Sequence, residues 1–160
     1  MIWLCGVALG GSALLLLRYY FAYLRARLDE CLGFLSLLSE LKRGISLRLE
    51  SPSSVALRLS EPRLAPSGFN SALENGASLS EAFEAVRERL LIPQEAGRIL
   101  GEYFDCVGEG YLDAELRSLE GAISALEPIA VRERDGINQR CRLAGVLTFS
   151  ALAGALLLLM

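Results

Sequence analysis

Histidine is absent from all 160 residues of this chain. With it go the commonest general base and the commonest metal ligand, which argues against most hydrolases. The cysteines Cys5, Cys31, Cys106 and Cys141 are scattered with no CxxC pair, so neither a zinc site nor a disulfide framework is suggested. They read as small apolar packing residues in a reducing compartment. No GxxxxGK[ST] phosphate loop is present. Within residues 24–142 Lys and Arg form no cluster with interleaved aromatics, and a pI of 5.1 with a net charge of -3 gives no general pull toward nucleic acid, which is not expected as a partner. The middle of the chain never alternates apolar and polar residues over a useful length, which excludes the usual strand signal. Asp113 and Glu115 stand two apart on a predicted helix and point in different directions, and Ser51, Ser53 and Ser54 have no nearby His or Lys to activate them. Neither an enzyme activity nor a cofactor is expected.

What the chain does have is an uncharged apolar run at each end, residues 2–17 and 143–160, with all 16 Lys and Arg between them. At about 1.5 Å per helical residue the second run reaches roughly 27 Å, close to the roughly 30 Å hydrocarbon core of a bilayer. The first is shorter, but Tyr19, Tyr20, Phe21 and Tyr23 continue it as an interfacial aromatic belt in which only Arg18 is charged and able to snorkel. The pattern predicts transmembrane helices over residues 1–23 and 143–160, with a soluble domain over residues 24–142 and the lipid bilayer as a partner. Gly6, Gly10 and Gly11 in the first run, and Gly145 and Gly154 in the second, suit close helix packing. Arg18, Arg25 and Arg27 follow the first run, and Arg132, Arg134, Arg140 and Arg142 precede the second. The positive-inside rule therefore puts the middle domain in the cytoplasm and both ends across the membrane. A cleaved signal peptide is the competing reading of the first run. It wants basic residues before the apolar stretch, whereas Met1 is followed directly by Ile2.

Between the runs the periodicity is helical. Leu24, Leu28, Leu32, Leu35, Leu38, Leu41 and Ile45 recur at three- and four-residue steps, predicting one long helix face that continues the first run. Ser51 followed by Pro52 reads as an N-cap and a first-turn proline, opening a short helix with Val55, Ala56 and Leu59 inward. A brief helix with Phe69 and Leu73 stops at Asn75-Gly76. Ser78 and Glu81 form an S-x-x-E capping box ahead of Leu79, Ala82, Phe83, Val86 and Leu90. Pro93 opens a helix carrying Ala96, Ile99, Leu100, Tyr103, Phe104 and Val107, and Gly108 and Gly110 mark a turn. A last helix with Leu112, Leu116, Leu119, Ile123 and Leu126 is expected to kink near Pro128 and run into the second apolar stretch. The fold class predicted is all-α, a helical bundle between an N-terminal and a C-terminal transmembrane helix.

One charge pattern offers a site. Between residues 102 and 120 the acids are Glu102, Asp105, Glu109, Asp113, Glu115 and Glu120 against the single base Arg117, at the turn the pattern places farthest from the membrane. Such a turn is either a solvated helix face or a dock for a basic partner, with Glu109, Asp113 and Glu115 as its candidate contacts. Lys42, Arg43 and Arg48 lie near the far end of the first long helix, where a neighbouring copy's acidic turn could meet them. A homo-oligomer is the second possibility.

The hairpin layout, the segment NGASLSEAFEAV (residues 75–86) and the final LAGVLTFSALAGALLLLM (residues 143–160) resemble the stage III sporulation protein AB family of endospore-forming bacteria. That family is similar in its soluble part to the F-type inner-membrane platform domain of type II secretion and type IV pilus machines. The resemblance covers essentially the whole chain. It differs in detail: Tyr111 stands where the family commonly has Asp, Glu115 where it has Gln, and Ser51-Pro52-Ser53 where many members have Thr-Pro-Leu. The resemblance implies a multi-pass scaffold in the outer forespore membrane of the mother cell, part of the channel complex linking the two cells. Its cytoplasmic domain would face a secretion-type ATPase, beside other membrane components of the channel, and would catalyse nothing. The alternative is a platform fragment of a type II secretion or type IV pilus system.

Overall fold

A computed structural model describes the backbone of residues 2–48, 51–108 and 111–159 and the side chains of residues 15–47, 51–108 and 111–144. Among these, the elements are six α-helices and two 3₁₀ segments, with no strand. The helices are α1 (Ile2–Arg48), α2 (Pro52–Leu59), α3 (Phe69–Glu74), α4 (Leu79–Val86), α5 (Gln94–Cys106) and α6 (Leu112–Leu159). One 3₁₀ segment, Pro62–Ser67, precedes α3, and the other, Arg87–Arg89, follows α4. The protein is all-α.

Local chemistry places most of the boundaries. The Ser51 hydroxyl accepts from the Ser54 amide, and Pro52 follows at the first helical position, where its missing N–H is no loss. Ser78 and Glu81 form the reciprocal box at α4: the Glu81 amide donates to the Ser78 hydroxyl at 3.2 Å and the Ser78 amide to the Glu81 carboxylate at 2.8 Å. Those bonds hold the Glu81 carboxyl below the ordinary carboxylate range, the backbone bond first. Gly76 takes φ +90 just beyond α3, a left-handed conformation that a side chain would strain. Helix α6 contains Pro128 and continues through it as one helix.

The chain divides into two compact units, Met1–Arg25 with Arg132–Met160, and Ala26–Val131. In the second, Phe34, Phe69, Phe83 and Phe104 form the centre of the core. Phe34 stands edge-on to Phe69 and Phe83 with ring centroids 5.5 and 5.9 Å apart, and Phe104 lies 5.2 Å from Phe83. Leu38, Leu41, Val55, Leu64, Leu79, Leu100, Leu119 and Leu126 pack around them.

Three expectations need correcting. The buried face of α1 in the second unit is Cys31, Phe34, Leu37, Leu38, Leu41 and Ile45, while Leu28, Leu32 and Leu35 are only half-buried. Eleven residues apart, and so on nearly the same side of α1, Gly33 sits against Leu64 of the 3₁₀ segment and Gly44 against Val55 of α2, so the covered face is turned toward the glycines and away from Leu28, Leu32 and Leu35. Helix α4 ends at Val86, and Leu90 is extended, because Leu91 is drawn to a carboxylate of α1 and Pro93 disfavours helix in what precedes it. Cysteine as buried packing residue fits Cys31; Cys106 and Cys141 are exposed, and Cys5 lies outside the residues whose side chains are described.

The two apolar runs fall largely outside the described side chains, and with them the predicted transmembrane helices. Among the described residues no helix is long and apolar enough to cross a membrane.

Candidate functional site

Helix α5 delivers Glu102, Tyr103 and Asp105 to one end of the second unit, and Gly108 at φ +85 turns the chain back toward α6. Tyr111 then opens α6: its carbonyl accepts from the amides of Ala114 at 2.9 Å and Glu115 at 3.0 Å. Asp113 and Glu115 lie in the first turn of α6, where the unpaired N–H groups of a helix start favour negative charge. Tyr111 is 91% exposed and Leu112 43% exposed, so an aromatic and an aliphatic side chain project beside these acids.

The acidic series does not form one uniform patch. Glu102 pairs with Arg98 at 2.8 Å, Asp105 accepts from the Ser80 hydroxyl at 3.1 Å, and Glu120 pairs with Lys42 at 2.8 Å. The Asp113 side chain is exposed, and its backbone carbonyl accepts from Arg117 Nε at 3.1 Å. Glu115 is half-buried, and its Oε1 is shielded from solvent without a hydrogen-bond partner among the described residues. The same holds for the hydroxyl of buried Tyr103. Burial first, and the Glu115 charge second, push that hydroxyl above the ordinary phenol range. Of the opposing basic set, Lys42 is taken by Glu120 and Arg43 by Glu40 at 3.1 Å, both within the chain. Glu109 and the Arg48 side chain lie outside the described residues.

A groove of about 520 Å³ runs between α5 and α6, with Glu95, Arg98 and Glu102 on one wall, Ser118 and Gly121 on the other, and Tyr103 in its lining. Among the described residues no group of three or more Cys, Asp or Glu is placed to hold a metal ion.

Two buried carboxylates escaped the reading by periodicity. Glu30, 5% exposed, accepts the Leu91 amide at 2.7 Å and so pins the α4–α5 connection to α1. Burial raises its carboxyl above the ordinary range, and the Leu91 bond works in the opposite sense. Glu61 is also buried; its carboxylate accepts from the Ser36 hydroxyl at 2.9 Å and its carbonyl from Asn70 at 2.8 Å. Both are structural clamps on the face of α1.

The first unit has a different surface. Arg140 Nη1 donates to the Tyr20 hydroxyl at 3.0 Å, joining α1 to α6. Tyr19, Tyr20 and Tyr23 are exposed, as are Arg18, Arg25, Arg132, Arg134, Arg140 and Arg142. No protein-family model, no curated protein and no solved structure matches the chain.

Proposed function

We propose that the protein is a membrane-anchored scaffold whose acidic helical unit docks a cytoplasmic secretion-type ATPase. On this reading it belongs to the channel complex between mother cell and forespore, as the resemblance to the stage III sporulation protein AB family implies. The observation that carries the docking is the exposed pair Tyr111 and Leu112 beside Asp113 at the start of α6. An exposed aromatic next to an exposed carboxylate supplies both parts of a protein contact. The ring gives area at low entropy cost, and the charge steers a basic partner. The apolar runs at both ends supply the anchoring.

The test is binding of the full-length chain, in detergent or nanodiscs, to a secretion-type ATPase from the same organism. Tyr111→Ala should weaken binding roughly tenfold or more at any salt concentration. Asp113→Lys, alone or with Glu109→Lys, should slow association, with the deficit shrinking as salt rises. Glu115 is unsuited to charge reversal, because its half-buried carboxylate lies against the core. Wild-type binding by both variants at low and high salt would rule out this surface. Orientation is checked separately with Ser71→Cys in a cysteine-free chain, an exposed position that impermeant reagent should not reach in intact cells.

A further inference from the structure

The first unit concentrates positive charge. Its six arginines, Arg18, Arg25, Arg132, Arg134, Arg140 and Arg142, face two carboxylates, Glu133 and Asp135, an excess of four positive charges in a chain whose net charge is -3. All six are exposed, and so are Tyr19, Tyr20 and Tyr23 among them. The Arg140–Tyr20 bond fixes their placement. Tyr20 is the third residue after Leu17, where the first apolar run ends, and Arg140 is the third before Leu143, where the second begins. The bond therefore ties together two points equally far from the two apolar runs. Arg18, Tyr19, Tyr20, Arg140 and Arg142 thus stand at the edge of both runs, with Arg25, Arg134 and Arg132 eight, nine and eleven residues further out along the helices, and Leu15 and Leu16 are each 70% exposed on the run side of Arg18.

We propose that this collar of arginine and tyrosine is a binding site for anionic phospholipid headgroups, such as that of phosphatidylglycerol. The inference rests on the membrane-spanning reading above and adds the lipid class. A zwitterionic headgroup carries its own cation and cancels most of the attraction; a headgroup with net negative charge does not. Guanidinium suits phosphate because its planar donors reach two oxygens at once. The Tyr20 oxygen accepts from Arg140, which leaves the phenolic hydrogen as a donor, and tyrosine rings sit well at headgroup depth. Source matters as well: soluble glycerol phosphate lacks the acyl chains that would lie against Leu15, Leu16 and Leu143, so it should compete poorly.

The full-length chain is reconstituted in vesicles of mixed phosphatidylcholine and phosphatidylglycerol, and the lipids retained on extraction are counted by native mass spectrometry. Wild type should retain phosphatidylglycerol over phosphatidylcholine by roughly fivefold or more, a preference that falls as salt is raised. The combined Arg18→Gln, Arg25→Gln, Arg134→Gln and Arg142→Gln variant, which leaves the Arg140–Tyr20 bond in place, should lose most of that preference. The same four positions as Lys should keep part of it, a part that fades with salt, since the charge is retained and the planar pair of donors is lost. Arg87→Gln, in the other unit, should leave it unchanged. If the quadruple Gln variant fails to fold, the salt series on wild type and the Lys variant still decide. Equal retention of the two lipids by wild type, or a wild-type preference in the Gln variant, overturns the collar. Displacement by glycerol phosphate at concentrations matching the lipid would replace the bilayer with a soluble ligand. Alkaline carbonate extraction keeps the two readings apart: a chain released from vesicles refutes the spanning helices, whereas a retained chain without lipid preference refutes the collar alone.

Discussion

The unit formed by Met1–Arg25 and Arg132–Met160 carries six cations against two carboxylates, while Ala26–Val131 carries ten against seventeen, a net of -7. The whole-chain charge of -3 conceals this division. The surfaces differ in kind as well. In the second unit most large apolar side chains close on the four-phenylalanine centre, with Tyr111 and Leu112 among those left exposed, and several of its acids serve clamps, ion pairs and helix starts. In the first, leucines, tyrosines and arginines stand exposed together. One chain thus holds an acidic helical unit with a closed aromatic core and a basic unit whose charged and phenolic side chains are exposed.

The comparison is broken most forcefully at the aromatic centre. Phe83→Ala should cost about 3–5 kcal/mol in chemical denaturation of the full chain, because the ring is buried against Phe34 and Phe104 and its removal leaves a cavity. Arg134→Ala in the first unit, with its exposed side chain, should stay within about 0.5 kcal/mol. Equal losses would mean that the division between a packed unit and an exposed one is wrong.

Backbone proximity gives the next effect. A Cβ at Gly44 would meet Val55 Cγ2 at 2.5 Å, so Gly44→Ala has to push α2 away from α1 and should destabilise by about 1–3 kcal/mol. Gly136→Ala in the first unit, where a Cβ would meet nothing within 4 Å, should be neutral or slightly stabilising. Thermal melts of the two variants compare them directly.

Glu30 sharpens the comparison through pH. Glu30→Ala strands the Leu91 amide and should cost about 1–3 kcal/mol. Because the folded carboxyl is raised above its unfolded value, its protonation favours the folded state. That contribution is full below the unfolded carboxylate range and is lost as pH rises through the raised folded value. Glu30→Gln keeps an oxygen for the Leu91 amide without the charge, so relative to wild type it should gain stability as pH rises across that window. Melting curves from acid to neutral pH provide the check; a gain on lowering the pH would reverse the sign.

The smallest effect belongs to the surface pair Lys42–Glu120. Its two side chains are 44% and 55% exposed, so a double-mutant cycle should return a coupling of about 0.2–1 kcal/mol that fades with salt. A larger, salt-resistant coupling would show that α1 and α6 depend on this pair and not on the apolar contacts around Leu38, Leu119 and Leu126.

What could be read in the sequence is what operates over three or four residues. The caps at Ser51 and Ser78, the stop at Gly76, the inward series on α4 as far as Val86 and that on α5 at Ala96, Leu100, Tyr103 and Phe104 rest on such local bonds and spacings, and the structure contains them. The acidic series was visible too, but not its uses: proximity in sequence does not say that Lys42 would meet Glu120 or that Glu115 would turn toward Tyr103. Tyr111 could have been suspected as an exposed aromatic, since it lies between a glycine turn and a helix start.

By itself, then, the amino-acid order determined helices, their starts and stops, the terminal apolar runs and the sign of charge along the chain, because these depend on neighbours a turn apart and on composition. Tertiary structure alone decided which face of α1 is inward, that Phe34 and not a leucine stripe is its centre, and that Glu30 is buried to hold an amide 61 residues away. The reason is physical: the apolar residues of α1 cover more of its circumference than its neighbours do, and only the packed assembly fixes which of them are removed from water.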